Sequence, residues 1–595
     1  MNKLIALDIE CLPNYFLVAL KSVESGKLIL IDMEGADTTL SFNDRRRLRS
    51  ILKKYTSFGF NSNNYDMPMI QYALTGATCS NLHNLSTKII DKGQPAWMTY
   101  KQYDMRPEFD HFDISEPAPA VMISLKNYGT RLGSKRLWEF FVDPYKPVNA
   151  DQIHDMKKYC ENDVDVTIDL YHAIKDEIDL REHMGKEYGL DLRSKSGAQV
   201  AEAVILKMTG FNGSKPSVPK TVQYVAPPCV SFKSYHLNEL QETIESHCFE
   251  INQKNGQPKE PLWMKHRKTV VGNTTYKVGL GGIHDQNTKT IRVKSDTHTI
   301  LDIDVASYYP SMILEFGFSP KHIGENFYNV YDDIYKSRLA AKRSGDKMTS
   351  DSLKLVLNSS FGKMGSMFSK LYAPDLMLQV TITGQLMLLM LIEEFESKGI
   401  EVFYANTDGI TIYCPNELLE LAKVIVFDWE LETGMIMEHE EFASCHIRDV
   451  NNFVNITVDG KVKAKGVYGD VSLKKGLQTP VVFRAVREWL RSGIPIKETI
   501  DSCTTVNDFL SARTVNGGAM WKGSYIGKMV RWYYSKQGAP IHYKKNGNQV
   551  PKTAEGNGVF PMMDLEDRLP KDLDYQWYYD EAVKMLADLG VETLC

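Results

Sequence analysis

At three places along this chain, an apolar run with the two-residue period of a strand carries acidic residues. LIALDIEC, residues 4–11, sets Asp8 and Glu10 two positions apart. LDIDVASYYPSMI, residues 301–313, does the same with Asp302 and Asp304. YANTDGITIYC, residues 404–414, alternates, turns at Asn406-Thr407-Asp408-Gly409, and alternates again. That pattern predicts a β-hairpin with Asp408 at its tip. Residues two apart on a strand face the same side. Two carboxylates on one face of an otherwise apolar strand repel each other unless a cation sits between them. Any fold for this chain must accommodate that.

Two further segments add to the first acidic pair. In FNSNNYDMPMI, residues 60–70, Asp66 follows a polar turn and opens an apolar run. In YCENDVDVT, residues 159–167, Tyr159 and Asp163 fall at i and i+4 on one helix face. Asp8, Glu10, Asp66 and Asp163 could together hold two divalent metals, with Tyr159 orienting an attacking water. Beside the second pair, KLVLNSSFGKMG, residues 354–365, places Lys354, Asn358 and Phe361 on one helix face.

A chain of 595 residues should hold several domains. Nine scattered Cys, with no C-x-x-C pair, indicate a reducing compartment and no structural zinc. The N-terminus does not read as a signal peptide, because Asp8 and Glu10 interrupt its apolar run. The most apolar stretch, residues 376–392, is broken by Gln379, Thr381, Thr383 and Gln385, so a buried helix is expected rather than a membrane span. Net charge is −5, but residues 509–554 contain no acid. That span mixes Lys522, Lys528 and Arg531 with Trp521, Tyr525, Trp532, Tyr533 and Tyr534, a composition suited to phosphate contacts and base packing.

Local patterns predict strand, turn and strand over residues 1–32, and one amphipathic helix over 151–183. They predict a strand over 300–306 ending in a Tyr-Tyr-Pro turn, and two helices within 327–365 split by SGDKMTSD. A closing helix is expected from about Asp574. Residues 211–299 resist assignment.

Taken in order, the first group resembles the three motifs of the DEDD 3′–5′ exonucleases, with the Tyr four before the last Asp that family B DNA polymerases carry. The second group resembles motifs A, B and C of the same family. VGLGGIHD, residues 278–285, resembles the Gly-Gly element joining the two modules, and KAKGVY, residues 463–468, resembles the Lys-rich motif at the primer terminus. The resemblance implies an α/β multidomain fold: an RNase H-like exonuclease domain followed by a right-hand palm, fingers and thumb polymerase. The implied domains are exonuclease 1–187, first palm part 188–325, fingers hairpin 326–363, second palm part 364–460, and thumb 461–595.

It implies a DNA-directed DNA polymerase with proofreading. Asp304, Asp408 and the Val305 carbonyl would hold two Mg²⁺ ions, with Mn²⁺ a possible substitute. Asp8, Glu10, Asp66 and Asp163 would hold two more in the exonuclease, with Tyr159 beside them. Lys354 would grip the incoming triphosphate, helped by Arg338 or Lys342, between which the residues do not choose. Asn358 and Phe361 complete the nucleotide site, and Tyr309 matches the steric-gate position that excludes a ribose 2′-hydroxyl. DNA contacts are implied for Asn61, Tyr65, Lys463, Lys465, Tyr468, Lys522, Lys528 and Arg531. Phe361 stands where the family usually has Tyr. Motif C reads Asn-Thr-Asp rather than Asp-Thr-Asp; the resemblance makes the second acid, Asp408, the direct metal ligand, so an active polymerase with altered metal preference is expected. The rival reading is a nuclease with a degenerate palm.

Motif I begins at residue 8, so the extra N-terminal domain of larger family members is not expected. Only 43 residues separate Pro310 from Lys354 and 41 separate Gly362 from Tyr404. The protein-primed phage polymerases carry insertions in both intervals. A compact viral or phage enzyme is therefore expected, monomeric, cytoplasmic in its host and off the membrane. Its partners would be primer-template DNA, dNTPs and a replisome or processivity factor.

Overall fold

The computed structural model describes residues 3–119 and 123–592. It is mixed α/β and divides into two compact units. The first comprises Met1–Ser196, Val471–Val481 and Ser502–Trp577; the second comprises Gly197–Asp470, Val482–Asp501 and Tyr578–Cys595.

In the first unit, a five-stranded sheet runs Leu28–Glu34, Tyr15–Ser22, Leu4–Leu12, Thr56–Gly59, His111–Asp113. The first three strands are antiparallel and the last two join in parallel. Residues 1–32 thus enter three strands rather than the expected two. Alternation along Leu4–Leu12 sets the two faces. Ile5, Leu7 and Ile9 pack with Leu48, Met69 and Leu82 on one side. Ala6 and Leu12 pack with Met156, Cys160 and Val164 on the other. Asp8 and Glu10 share the parity of Ala6, so they point toward the helix Ala150–Ala173. That helix starts at a capping box between Asn149 and Gln152. The single helix expected over 151–183 breaks at Ile174, which leaves the helical region and buries its side chain; Lys175–Tyr188 then starts afresh.

The acid-free span supplies three strands of a second sheet of this unit, ordered Ile541–Tyr543, Ser511–Trp521, Ser524–Ala539, and Val559–Pro561 from beyond it completes the order. Its aromatic residues are largely core: Trp532, Tyr533 and Tyr534 are buried. The expected thumb block 461–595 is therefore divided between the units. Residues 502–577 pack with the N-terminal segment because Arg531 and Met529 bond to Ser134 and Glu139. Tyr468 and Met585 bond to each other within the second unit.

The second unit is built on a ten-stranded antiparallel sheet in which His298–Val305 lies between Gly409–Pro415 and Met437–Asp449. The unassigned stretch supplies four of its short strands: Thr269–Val271, Thr274–Lys277, His284–Asp285 and Thr290–Val293. Pro374–Ser397 is long and apolar enough to cross a membrane, yet 83% of its most apolar window is buried inside the protein. The two Gln that interrupt it have partners. The Gln385 amide accepts from Gly279 N–H at 2.9 Å and donates to Gly279 C=O at 2.8 Å. Gln379 makes the same two-way contact with Val225. The expected helical hairpin is Glu325–Ser344 and Lys347–Met364, broken at Gly345, with Asp346 capping the second helix at Thr349 N–H. Gly197–Thr209 packs on this hairpin rather than on the sheet. The Tyr-Tyr-Pro segment is not a turn but the first turn of the helix Tyr308–Glu315, where Pro310 needs no helical donor.

Candidate active sites in the two units

The first cluster forms where the sheet meets Ala150–Ala173. Asp8 is held up near 7, chiefly by burial and then by Asp163. Burial raises Glu10 as well, followed by Asp8 and Asp163; Asp66 is raised by burial, then Asp8 and Asp113. Asp163 is also raised by burial. Four mutually repelling carboxyls in a desolvated pocket are a donor set short of positive charge. The Asp8 and Glu10 carboxylates and the Cys160 sulfur lie within 4.8 Å of one another. Oxygen-rich ligation of this kind suits a hard divalent cation.

Two residues missed in the sequence complete the arrangement. Lys126 bonds through Nζ to the Tyr159 hydroxyl, and its charge lowers Glu10, Asp8 and Asp163. Asp113 accepts the backbone N–H of Asn61 at 2.9 Å and of Asn63 at 3.0 Å, fixing the loop that delivers Asp66. Neither residue had a sequence signal: Asp113 ends a strand of only three residues, His111–Asp113, and Lys126 has no periodic partner. Tyr159 also lines a cleft of about 750 Å³ with Trp138, Glu139, Phe140, Phe141 and Tyr525.

The second cluster lies on the large sheet. Asp304 pairs with Gly409 on one side and Glu438 on the other; Asp302 pairs with Thr411 and Glu440. The Val305 N–H donates to the Asp408 carbonyl at 2.8 Å, which locks the hairpin tip against the strand end. Asp304 is held up near 7 by burial, then Asp302 and Asp408. Burial also raises Asp408, while Lys465 opposes the rise. The hairpin turns at Asn406-Thr407-Asp408-Gly409 as expected, with Asn406 paired to Gly409 and Thr407 at φ +60°. Gly409 is needed for a different reason. A Cβ there would lie 1.7 Å from Asp304 Oδ1. VGLGGIHD braces the same turn: a Cβ on Gly282 would fall 2.6 Å from Thr407 Oγ1, and Asp285 accepts Ala405 N–H at 3.0 Å.

In front of Asp408 opens a cleft of about 430 Å³ whose lining includes Val305, Tyr309, Arg338, Lys342, Lys354, Asn358 and Phe361. Residues from strand, hairpin and both helices thus converge as expected. Arg338 donates to Ser307 Oγ at 2.8 Å, and the rings of Tyr309 and Phe361 lie 4.6 Å apart. Glu438 also lines this cleft. Alternation along MEHEEF puts Glu438 and Glu440 on one face, a signal the sequence offered.

Several expected DNA contacts fall elsewhere. Arg531 is fully buried and donates to the carbonyls of Met562, Ser134 and Met563; burial lowers it to about 10. It sits in the strand Ser524–Ala539, flanked on both edges, so its charge serves the fold. Tyr468 is buried with its hydroxyl on Met585. Tyr65 packs against the core with its hydroxyl on Ser86, and Asn61 caps its own loop through Asn64. Lys463 pairs with Glu440 and, at 3.7 Å, with Asp302. Lys465, Lys522 and Lys528 are exposed.

No protein-family model matches the chain. DNA polymerase II of Escherichia coli (strain K12) is 25% identical over 139 residues, 19% of this chain and 18% of that protein. DNA polymerase 1 of Saccharolobus solfataricus is 27% identical over 235 residues, 38% and 24% of the two chains. DNA polymerase 1 of Sulfolobus acidocaldarius is 24% identical over 176 residues, 29% and 19%. These relatives are all DNA polymerases. The matched part spans about a fifth to a quarter of their length. The family B DNA polymerase of the archaeon Pyrobaculum calidifontis aligns over 100% of this chain and 78% of its own, at 13% identity and TM-score 0.43.

Proposed function

We propose that this chain is a template-directed DNA polymerase of the family B type that also removes nucleotides from a primer 3′ end. The observation that carries the reading is the cleft in which Asp408 faces Arg338, Lys342 and Lys354 from the helical hairpin. Carboxylates on one wall and cations on the other suit a metal-bound triphosphate, whose charge needs both. Magnesium at Asp304 and Asp408 would activate the primer 3′-hydroxyl and neutralise the phosphates. The two lysines and Arg338 would hold the triphosphate oxygens. Tyr309, backed by Phe361, would fill the space of a ribose 2′-hydroxyl. In the first unit, Asp8, Glu10, Asp66 and Asp163 would hold magnesium, and Tyr159, oriented by Lys126, would position a water for phosphodiester hydrolysis. The sheet order there, with three antiparallel strands followed by two parallel ones, suits an RNase H-like nuclease.

The short intervals around the helical hairpin support a compact, phage-like enzyme that extends an ordinary primer. On this reading it acts as a monomer in the host cytoplasm, with a replisome or processivity factor as partner. The test is extension of a 5′-labelled primer with Mg²⁺, with and without dNTPs. Wild type should extend; Asp408→Ala should only shorten; Asp8→Ala/Glu10→Ala should only extend. Shortening alone by wild type, with Mg²⁺ or Mn²⁺, would overturn the polymerase reading.

A further inference from the structure

The helix Leu419–Thr433 buries Ala422, Ile425, Val426, Trp429 and Thr433 against the second unit. Its opposite face should therefore be polar. Instead, Val424 is 52% exposed, Phe427 57% and Leu431 69%, with Leu421 at 36% one turn before them. Positions 421, 424, 427 and 431 share one side of the helix. Ile436, just beyond the helix, is 63% exposed. Single exposed apolar residues are ordinary, but a contiguous row is a mark of an interaction site. Acids stand within and beside the row: Glu420, Asp428 and Glu432, all exposed. The one lysine among them, Lys423, is already paired with Glu420 at 2.6 Å.

We propose that this face docks an amphipathic helix from another protein, with an apolar stripe flanked by Lys or Arg. Apolar residues at helical spacing offer a ridge for a helical partner, and the unneutralised Asp428 and Glu432 choose the sign of its flanks. A second copy of this chain fits poorly. An antiparallel pairing centred on residue 426 would set Glu420 of one copy against Glu432 of the other, and Val424 against Asp428. Like charges would meet, and an acid would be buried without a partner. An anionic membrane surface would meet the same acids with the wrong sign.

The probe is a fluorescent 18-residue peptide with Leu at i, i+3, i+4 and i+7 and Lys elsewhere, titrated into the full chain. Saturable binding is expected. It should weaken at least tenfold in Phe427→Ser/Leu431→Ser and in Asp428→Lys/Glu432→Lys, while a Leu/Glu peptide should not bind. Both variants should keep the wild-type melting temperature and primer processing, since none of these residues belongs to either carboxylate site. Equal binding by the variants, or by the Leu/Glu peptide, would overturn the proposal. So would a concentration-dependent dimer in sedimentation that Phe427→Ser/Leu431→Ser abolishes, or flotation with phosphatidylglycerol vesicles that the same variant loses.

Discussion

Replacing Gly409 by Ala tests whether the polymerase reading depends on the geometry at Asp304. The new Cβ would lie 1.7 Å from Asp304 Oδ1, 2.8 Å from Cγ of that residue and 3.0 Å from the Ile303 carbonyl oxygen. Non-bonded heavy atoms rest at about 3.5 Å, so the carboxylate must retreat by roughly 1.8 Å. A short side chain can do this by rotating, at a folding cost of about 1–3 kcal/mol. The backbone of Gly409 lies outside the left-handed region, so Ala adds no conformational strain. The fold should therefore survive. The site should not, because a misplacement of about 1 Å at reacting groups can cost roughly 100-fold. Single-turnover extension of a 5′-labelled primer should slow at least about 100-fold, with shortening in the absence of dNTPs unchanged. Extension within threefold of wild type would refute the argument. So would parallel loss of both activities with a collapsed melting temperature, since unfolding would then explain the effect.

Arg531→Ala removes the donor to the carbonyls of Met562, Ser134 and Met563, of which Met563 keeps the Leu137 N–H, and should lower stability by about 1–3 kcal/mol in urea. Lys528→Ala should leave stability alone and reduce the salt slope of DNA binding by about one; an unstable Lys528→Ala or a stable Arg531→Ala contradicts the assignment. Asp8 and Asp304 are held near 7 in the fold, above an unfolded value near 3.8. The folded chain then binds more protons between those values, so metal-free stability falls as pH rises through them and stays low above 7. Melts in chelator should show a lower melting temperature at pH 8 than at pH 6, recovered by Mg²⁺ at pH 8. An unchanged slope in Asp8→Asn/Asp304→Asn would count against this. Tyr309→Ala should raise ribonucleotide incorporation relative to deoxynucleotide at least tenfold, and unchanged selectivity would remove Tyr309 as the gate.

What the sequence made legible is what period and spacing control. The parity of Asp8 and Glu10, the i and i+4 relation of Tyr159 and Asp163, and the row of Lys354, Asn358 and Phe361 all follow from local geometry. What it hid depends on contacts distant in the chain. Arg531 looked like one more cation in a basic run, because only the carbonyls of Ser134, Met562 and Met563 mark it as internal. Lys126 lies 33 residues from Tyr159 with no periodicity to link them. The strands between 269 and 293 are two to four residues long, too short for alternation to register.

Asn406 shows how such a hidden contact can reverse the meaning of a residue. Beside Asp408, an Asn in place of a second acid suggests a change at the metals. The Tyr404 hydroxyl, however, donates its single proton to the Val450 carbonyl at 3.0 Å. The group facing the remaining lone pair of that oxygen must therefore be a donor. The Asn406 amide is one, at 2.9 Å, and its carbonyl accepts from the Thr407 hydroxyl at 3.1 Å. A carboxylate has no proton to donate, and it could only accept the Tyr404 proton at the expense of the bond to Val450. It would also add another negative charge near Asp304, whose carboxyl is already held up by its neighbours. The amide at 406 is thus accounted for by the bracing of the hairpin, and the acids at its tip are Asp304 and Asp408, with Glu438 beside them in the cleft.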